Sequence, residues 1–263
     1  MRGLLVAMGL VWRVGVGVGV KAEEELRGAV GWMGVVGLME GAMLLALARL
    51  CTLFFPPFLS SALILTFITA LGGGFHQDGL SDTFDGLAVR PHPDPEEDRH
   101  LRLAAMKDPH PGTAGNLSLI LTTVLALAAL TSLLPSPLSA PALLGAPIAA
   151  RWATVLAMWR TTPARPSGLG SIFVGRIPLS DLFLSGLPLS VPGLLLVLER
   201  GWPSLLALGA GLFGLGLVVR LLCSLFTRRI GGLTGDTLGA VHQISFVITL
   251  LACAAATGPT PLP

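Results

Sequence analysis

The residues best suited to chemistry lie between Gly72 and Gly86, in the stretch GGGFHQDGLSDTFDG. Three aspartates (Asp78, Asp82, Asp85) and a histidine (His76) fall there within ten residues. If the segment after Gly79 is helical, positions 78, 82 and 85 share one face within about 60°. Aligned carboxylates repel one another, and a hard divalent cation such as Mg²⁺ or Mn²⁺ would hold them together through oxygen ligands alone. The alternative is a solvated acidic helix start with Asp78 as its N-cap. A position beside a long apolar run favours the functional reading, because ionisable groups at a membrane boundary are costly to keep. On an uninterrupted helix His76 would sit about 160° from Asp78. The glycines Gly72–Gly74 are expected to break the helix there and release His76 from that offset.

Other polar stretches recur along the chain. Pro91 to His100 is Pro-broken and charged, and reads as a surface loop. Met106-Lys107-Asp108 precedes Gly112 and Gly115, which open an apolar run. Glycines at a helix start let backbone N–H groups approach a phosphate, and Lys107 would add a point charge. A plain turn with an interfacial lysine is the alternative. Arg151 stands alone inside an apolar run, where an arginine faces the bundle interior and finds a carboxylate or a phosphate. In the following loop Arg165 is a phosphate candidate, whereas Arg160 and Arg176 read as topology determinants. Asp236 lies in RRIGGLTGDTLGA as the only acid after Glu199, with an N-cap role as its alternative. Arg228 and Arg229 read as anchors, and His242 as a neutral packed histidine.

These groups are positioned by apolar elements. The chain has 263 residues, 52% hydrophobic and 12% charged, with a mean hydropathy of +0.77. Soluble domains carry about 25% charge, so the composition predicts an all-α, polytopic membrane protein. Seven apolar runs approach the ~20 residues that a span requires: 29–49, 54–73, 115–134, 139–159, 182–198, 203–226 and 239–257. The fifth contains Pro188 and Pro192 and is expected to kink, or to fold back and leave six. Residues 29–263 form one transmembrane domain in this reading, and 1–28 an N-terminal segment without a clear assignment. VGVGVGVK at 14–21 lacks the endings of a phosphate loop, and no small-residue cleavage site marks a signal peptide. Cys51, Cys223 and Cys253 are too scattered for a zinc site. A net charge of +2 makes no case for nucleic acid.

The segments 1–28, 74–114, 160–181 and 227–238 hold thirteen Lys and Arg, against one in the intervening connections. That asymmetry places the polar motifs on the cytoplasmic face of the inner membrane. Carboxylates for a metal and cations for phosphate oxygens, on one face, are the equipment of phosphoryl transfer.

The motifs GGGFHQDGLSDTFDGL (72–87), MKDPHPGTAG (106–115), ARWA (150–153), ARPSGLG (164–170) and GGLTGDTLGA (231–240) resemble the cobalamin synthase family. The resemblance runs from about Gly31 onward. The amino-terminal segment departs from the family pattern, as do residues 242–245. The resemblance implies a membrane-embedded, Mg²⁺-dependent adenosylcobinamide-GDP ribazoletransferase. Its ribose hydroxyl acceptor is α-ribazole or its 5′-phosphate, and GMP leaves. On that reading Asp78, Asp82, Asp85 and Asp236 face the metal and the diphosphate. His76 is the preferred base, with an aspartate such as Asp82 as its rival. Lys107, Asp108, Gly112, Gly115, Arg151, Arg165, Thr234 and Gly235 are substrate contacts. Membrane lipid is the surrounding partner, and a homo-oligomer is left open. Two other classes remain: a CDP-alcohol-type head-group phosphotransferase, whose aspartate spacing this chain misses, and a cation-coupled transporter, whose carboxylates would sit nearer the midplane.

Overall fold

The computed structural model describes residues 2–12 and 23–258; the VGVGVGVK stretch lies outside them. The described chain is helical. In order its helices are α1 (Arg2–Val11), α2 (Glu23–Gly28), α3 (Met33–Cys51), α4 (Pro57–Gly72), α5 (Phe75–Ala88), α6 (Pro95–Ala105), α7 (Thr113–Leu133) and α8 (Ser139–Met158). There follow α9 (Leu169–Phe173), α10 (Leu179–Gly186), α11 (Ser190–Arg200), α12 (Ser204–Ile230) and α13 (Gly235–Ala255). Among the described residues six segments are long and apolar enough to cross a membrane, and the bent pair α4–α5 makes a seventh if counted as one span. The protein is an all-α, multi-pass membrane protein. The fifth run is interrupted at its prolines: a 3₁₀ turn at Leu187–Leu189 that contains Pro188 separates α10 from α11, and Leu179–Arg200 still counts as one candidate span.

The expected break before the aspartates falls one step earlier than His76. Gly73 and Gly74 both adopt left-handed backbone (φ 59° and 74°), a conformation that costs glycine nothing. The chain turns there by 87° between α4 and α5. His76 therefore lies on the same continuous helix as the three aspartates, and the offset from Asp78 stands.

Pro91–His100 is not simply a loop. Asp94 accepts from the Glu96 N–H as an N-cap, Pro95 fills the first turn, and Glu96, Glu97 and Asp98 follow it, so α6 starts there. Its Arg102 is fully buried. Arg102 pairs with Asp98 through Nε and Nη2 at 2.8 and 3.1 Å. Its Nη1 donates to the carbonyls of Gly86 and Leu87, the otherwise open C-terminal end of α5. This guanidinium docks α6 against the helix that carries the aspartates.

The central layer is α8, almost wholly buried, with α3 and α13 against it. Gly37 and Gly41 of α3 lie directly on the α8 backbone at Ile148 and Leu144. Such close approach is how membrane helices gain contact when burial from water does not drive them together.

Candidate active site

Helices α5 and α13 cross where Gly79 meets Asp236. A Cβ on Gly79 would stand 2.7 Å from the Asp236 carbonyl oxygen, and a Cβ on Gly239 would stand 3.4 Å from the Cα atoms of Gly79 and His76. This crossing brings the first acidic motif onto the start of the last span. Asp78, Asp85 and Asp236 lie within electrostatic reach of Asp82, as does Arg165, and Asp236 also feels Asp78, Arg165 and Lys107.

The four aspartates are not equivalent. Asp78 is exposed and Asp82 half-buried. Both Asp85 oxygens accept backbone N–H groups, from Gly112 at 2.7 Å and Gly115 at 2.8 Å. The N–H groups expected to face a phosphate therefore face Asp85, which serves the start of α7 as a cap would. Asp236 is not an N-cap. That role belongs to Thr234, which forms a capping box with Thr237. The Thr234 hydroxyl also donates to Asp236 Oδ2 at 3.2 Å. Likewise the N-cap of α5 is Gly74, and Asp78 sits in the first turn.

Two loops are laced together beside this crossing. The Ala164 N–H donates to Leu233 O (2.8 Å) and the Leu233 N–H to Thr162 O (2.9 Å). Arg99 donates to Ala164 O, and Arg165 Nη2 to Leu103 O at 2.9 Å. The result is a cleft where Arg165, Ser167, Ser171, Thr234 and Asp236 face in beside the apolar Phe75 and Leu233. It opens on the N-terminus of α13, where unpaired N–H groups and the helix dipole favour an anion. Lys107 and Asp108 are on the exposed connection before α7. Asp108 binds His110 through its backbone N–H and its ring, and these bonds, in that order, hold its carboxyl below the usual range.

His76 and Arg151 belong to a second, buried group. Arg151 is 5% exposed and donates to both Glu40 oxygens, from Nε at 3.1 Å and Nη2 at 2.6 Å. Trp12 Nε1 also donates to Glu40 Oε1, at 2.9 Å. Arg151 Nη1 lies 2.8 Å from His76 Nε2. Arginine only donates, so that nitrogen accepts and the ring is neutral, with its proton on Nδ1. Nδ1 is buried without a partner. The ring stacks on His242 at 3.8 Å. Glu40 was missed by the sequence reading, although a single acid inside an otherwise apolar run is itself the signal of an intramembrane partner.

Fold and site together define an all-α membrane protein with an acidic cluster beside the start of its last described span. The chain belongs to the cobalamin-5-phosphate synthase family, whose match covers residues 3–254. The match begins well before Gly31, the start of the resemblance expected from sequence, and takes in most of the amino-terminal segment. Among curated relatives, an adenosylcobinamide-GDP ribazoletransferase of Pseudomonas aeruginosa (strain PAO1) is 36% identical over 97% of this chain and 98% of its own length. Proteins of the same name from Acetivibrio thermocellus (31%, over 95% and 96%) and Thermodesulfovibrio yellowstonii (30%, over 87% and 86%) are similar. No solved structure matches the chain significantly.

Proposed function

We propose that this chain joins α-ribazole, or its 5′-phosphate, to adenosylcobinamide-GDP and releases GMP, at the crossing of α5 and α13. The observation that carries the reading is the convergence of Asp78 and Asp82 with Asp236 beside the Arg165 cleft, in a chain of this family. A ribose hydroxyl attacks the phosphorus nearest the cobinamide. The new P–O bond forms as the bond to the bridging oxygen of GMP breaks, and the hydroxyl proton passes to a carboxylate.

Asp82 is the base in this proposal. It shares the aspartate face, whereas His76 points the other way on the same helix, with Nε2 already engaged by Arg151. His76, Arg151 and Glu40 act as positioning residues that hold α5 against α3, α8 and α13. Arg165 and the N–H groups at Gly235 hold the diphosphate, and Lys107 approaches it from the exposed side.

The donor set suits Mg²⁺: it is carboxylate oxygen throughout. Among the described residues no group of three or more His, Cys, Asp and Glu side chains is placed to hold a metal ion by itself. Mg²⁺ commonly takes one or two carboxylates and completes its shell with substrate phosphate and water, so Asp78 and Asp236 would hold it and Asp82 would stay free to act as the base. Bound there, the ion would neutralise the diphosphate and polarise the phosphorus under attack. We further place the motif loops on the cytoplasmic side, on the strength of the Lys/Arg asymmetry. The test is GMP release by the purified protein supplied with adenosylcobinamide-GDP and α-ribazole. Release that stops with EDTA and returns with Mg²⁺ supports the proposal. Release unaffected by EDTA refutes the metal, and no release from folded protein refutes the reaction.

A further inference from the structure

A second polar feature lies away from the aspartates, in an open groove between α8 and α12 of about 1260 Å³. One wall is Trp152 and Leu156 of α8 with Trp159, the residue that ends that helix. The other is a stripe of α12: Phe213, Leu217, Arg220, Ser224 and Arg228 fall within about 100° of one another on that helix. Arg160 closes the end of the groove. Its backbone is held in the left-handed region (φ 55°), uncommon for a residue with a side chain, and its guanidinium lies 4.6 Å from the Trp159 ring centre.

Three guanidinium groups thus share one groove, and no Asp or Glu lines it. Among the described residues Arg160, Arg220 and Arg228 make no ion pair and no hydrogen bond. Arg220 is about 15 Å along α12 from its C-terminal end, inside an apolar span, where an unpaired arginine is costly. Snorkelling to the interface would relieve one such residue. It does not explain why three line one groove with no acid beside them, since like charges repel. Thr161, Thr162, Ser224 and Thr227 also line the groove, and its length along Phe213, Gly216 and Leu217 is apolar and open to the surroundings: Phe213 is 77% exposed, and α12 is the least buried of the candidate spans.

We propose that this groove binds an anionic glycerophospholipid, with its phosphate among Arg160, Arg220 and Arg228 and an acyl chain along Phe213 and Leu217. Phosphate complements the three cations, and the apolar length below them fits a chain that a soluble phosphate lacks. Basic pockets between spans select anionic lipid in this way.

The test is native mass spectrometry of the full chain in detergent, titrated with dioleoylphosphatidylglycerol or dioleoylphosphatidylcholine. Phosphatidylglycerol should bind more tightly, and Arg220→Gln should weaken it about fivefold, the effect of about one interfacial cation. Arg160→Gln, in the loop, should act similarly and serves if the Arg220 variant fails to fold. Arg176→Gln, off the groove, should change nothing. Equal binding of the two lipids, or unchanged phosphatidylglycerol binding in both groove variants, would overturn the proposal. So would displacement of the lipid by millimolar inorganic phosphate, which would mark a free-phosphate site. A dimer in which a second copy covers the groove would overturn it as well.

Discussion

Gly79→Ala adds one methyl group at the point where the two acidic motifs meet. The added carbon would stand 2.7 Å from the Asp236 carbonyl oxygen and 3.0 Å from its Cα, against ordinary contact from 3.4 Å. Both obstacles are backbone, so no side chain can swing away. Helices α5 and α13 must separate by about 0.7 Å, the difference between 3.4 and 2.7 Å. A misplacement of about 1 Å can cost about 100-fold in rate, so kcat/KM should fall by about 10–100-fold. Overpacking of this kind costs about 1–3 kcal/mol of stability, and thermal unfolding in the same detergent should show it. Gly214→Ala in α12 is the control: no atom lies within 4 Å of the added carbon, and alanine favours a helix interior by about 1 kcal/mol over glycine. GMP release at wild-type kcat/KM from Gly79→Ala would refute the claim that this crossing sets the distance between Asp82 and Asp236.

Other perturbations separate the parts of the site. Asp85→Ala leaves the Gly112 and Gly115 N–H groups without an acceptor and should lower stability by about 1–2 kcal/mol, as loss of a cap does; an unchanged melting temperature would deny the clamp. Glu40→Ala strands a buried guanidinium and should cost about 3–5 kcal/mol, while Glu40→Leu combined with Arg151→Leu should recover much of it; a melt that does not distinguish the single from the double variant would contradict the pairing. Asp98 has its carboxyl held below the usual range, first by the Arg102 side-chain bonds and then by the His92 N–H. A depressed pKa contributes stability above the unfolded value and loses it as pH falls through the folded one. Thermal stability at low salt should therefore decline below about pH 4, and Asp98→Asn should remove that part of the decline; an identical acid profile in the variant would count against α6 being docked by this pair.

The spans were legible because hydropathy acts locally: each of the seven apolar runs has a helical counterpart within a few residues. The aspartate face of α5 was legible for the same reason, since spacing on a single helix fixes it. Two local signals were present and outweighed. Asp94-Pro95 followed by acids is a helix start, which the prolines of the surrounding segment obscured. Thr234 with Thr237 is a capping pair, which the acidic neighbour Asp236 overshadowed. The partners of Arg151 and Arg102 were not legible in the same way. Glu40 lies 111 residues from Arg151, and the Gly86 carbonyl 16 from Arg102. Neither distance leaves a periodicity to read. The Gly79–Asp236 contact depends on the absence of a side chain, a property visible in sequence only as one glycine among 33.

The central claim is that carboxylates at the crossing carry the transfer. The most direct measurement is GMP release by Asp82→Asn beside the wild type, in the same detergent and at the same Mg²⁺ concentration, with a melting curve for each. The account predicts that Asp82→Asn loses turnover while melting as the wild type does. Wild-type GMP release from the variant would contradict it.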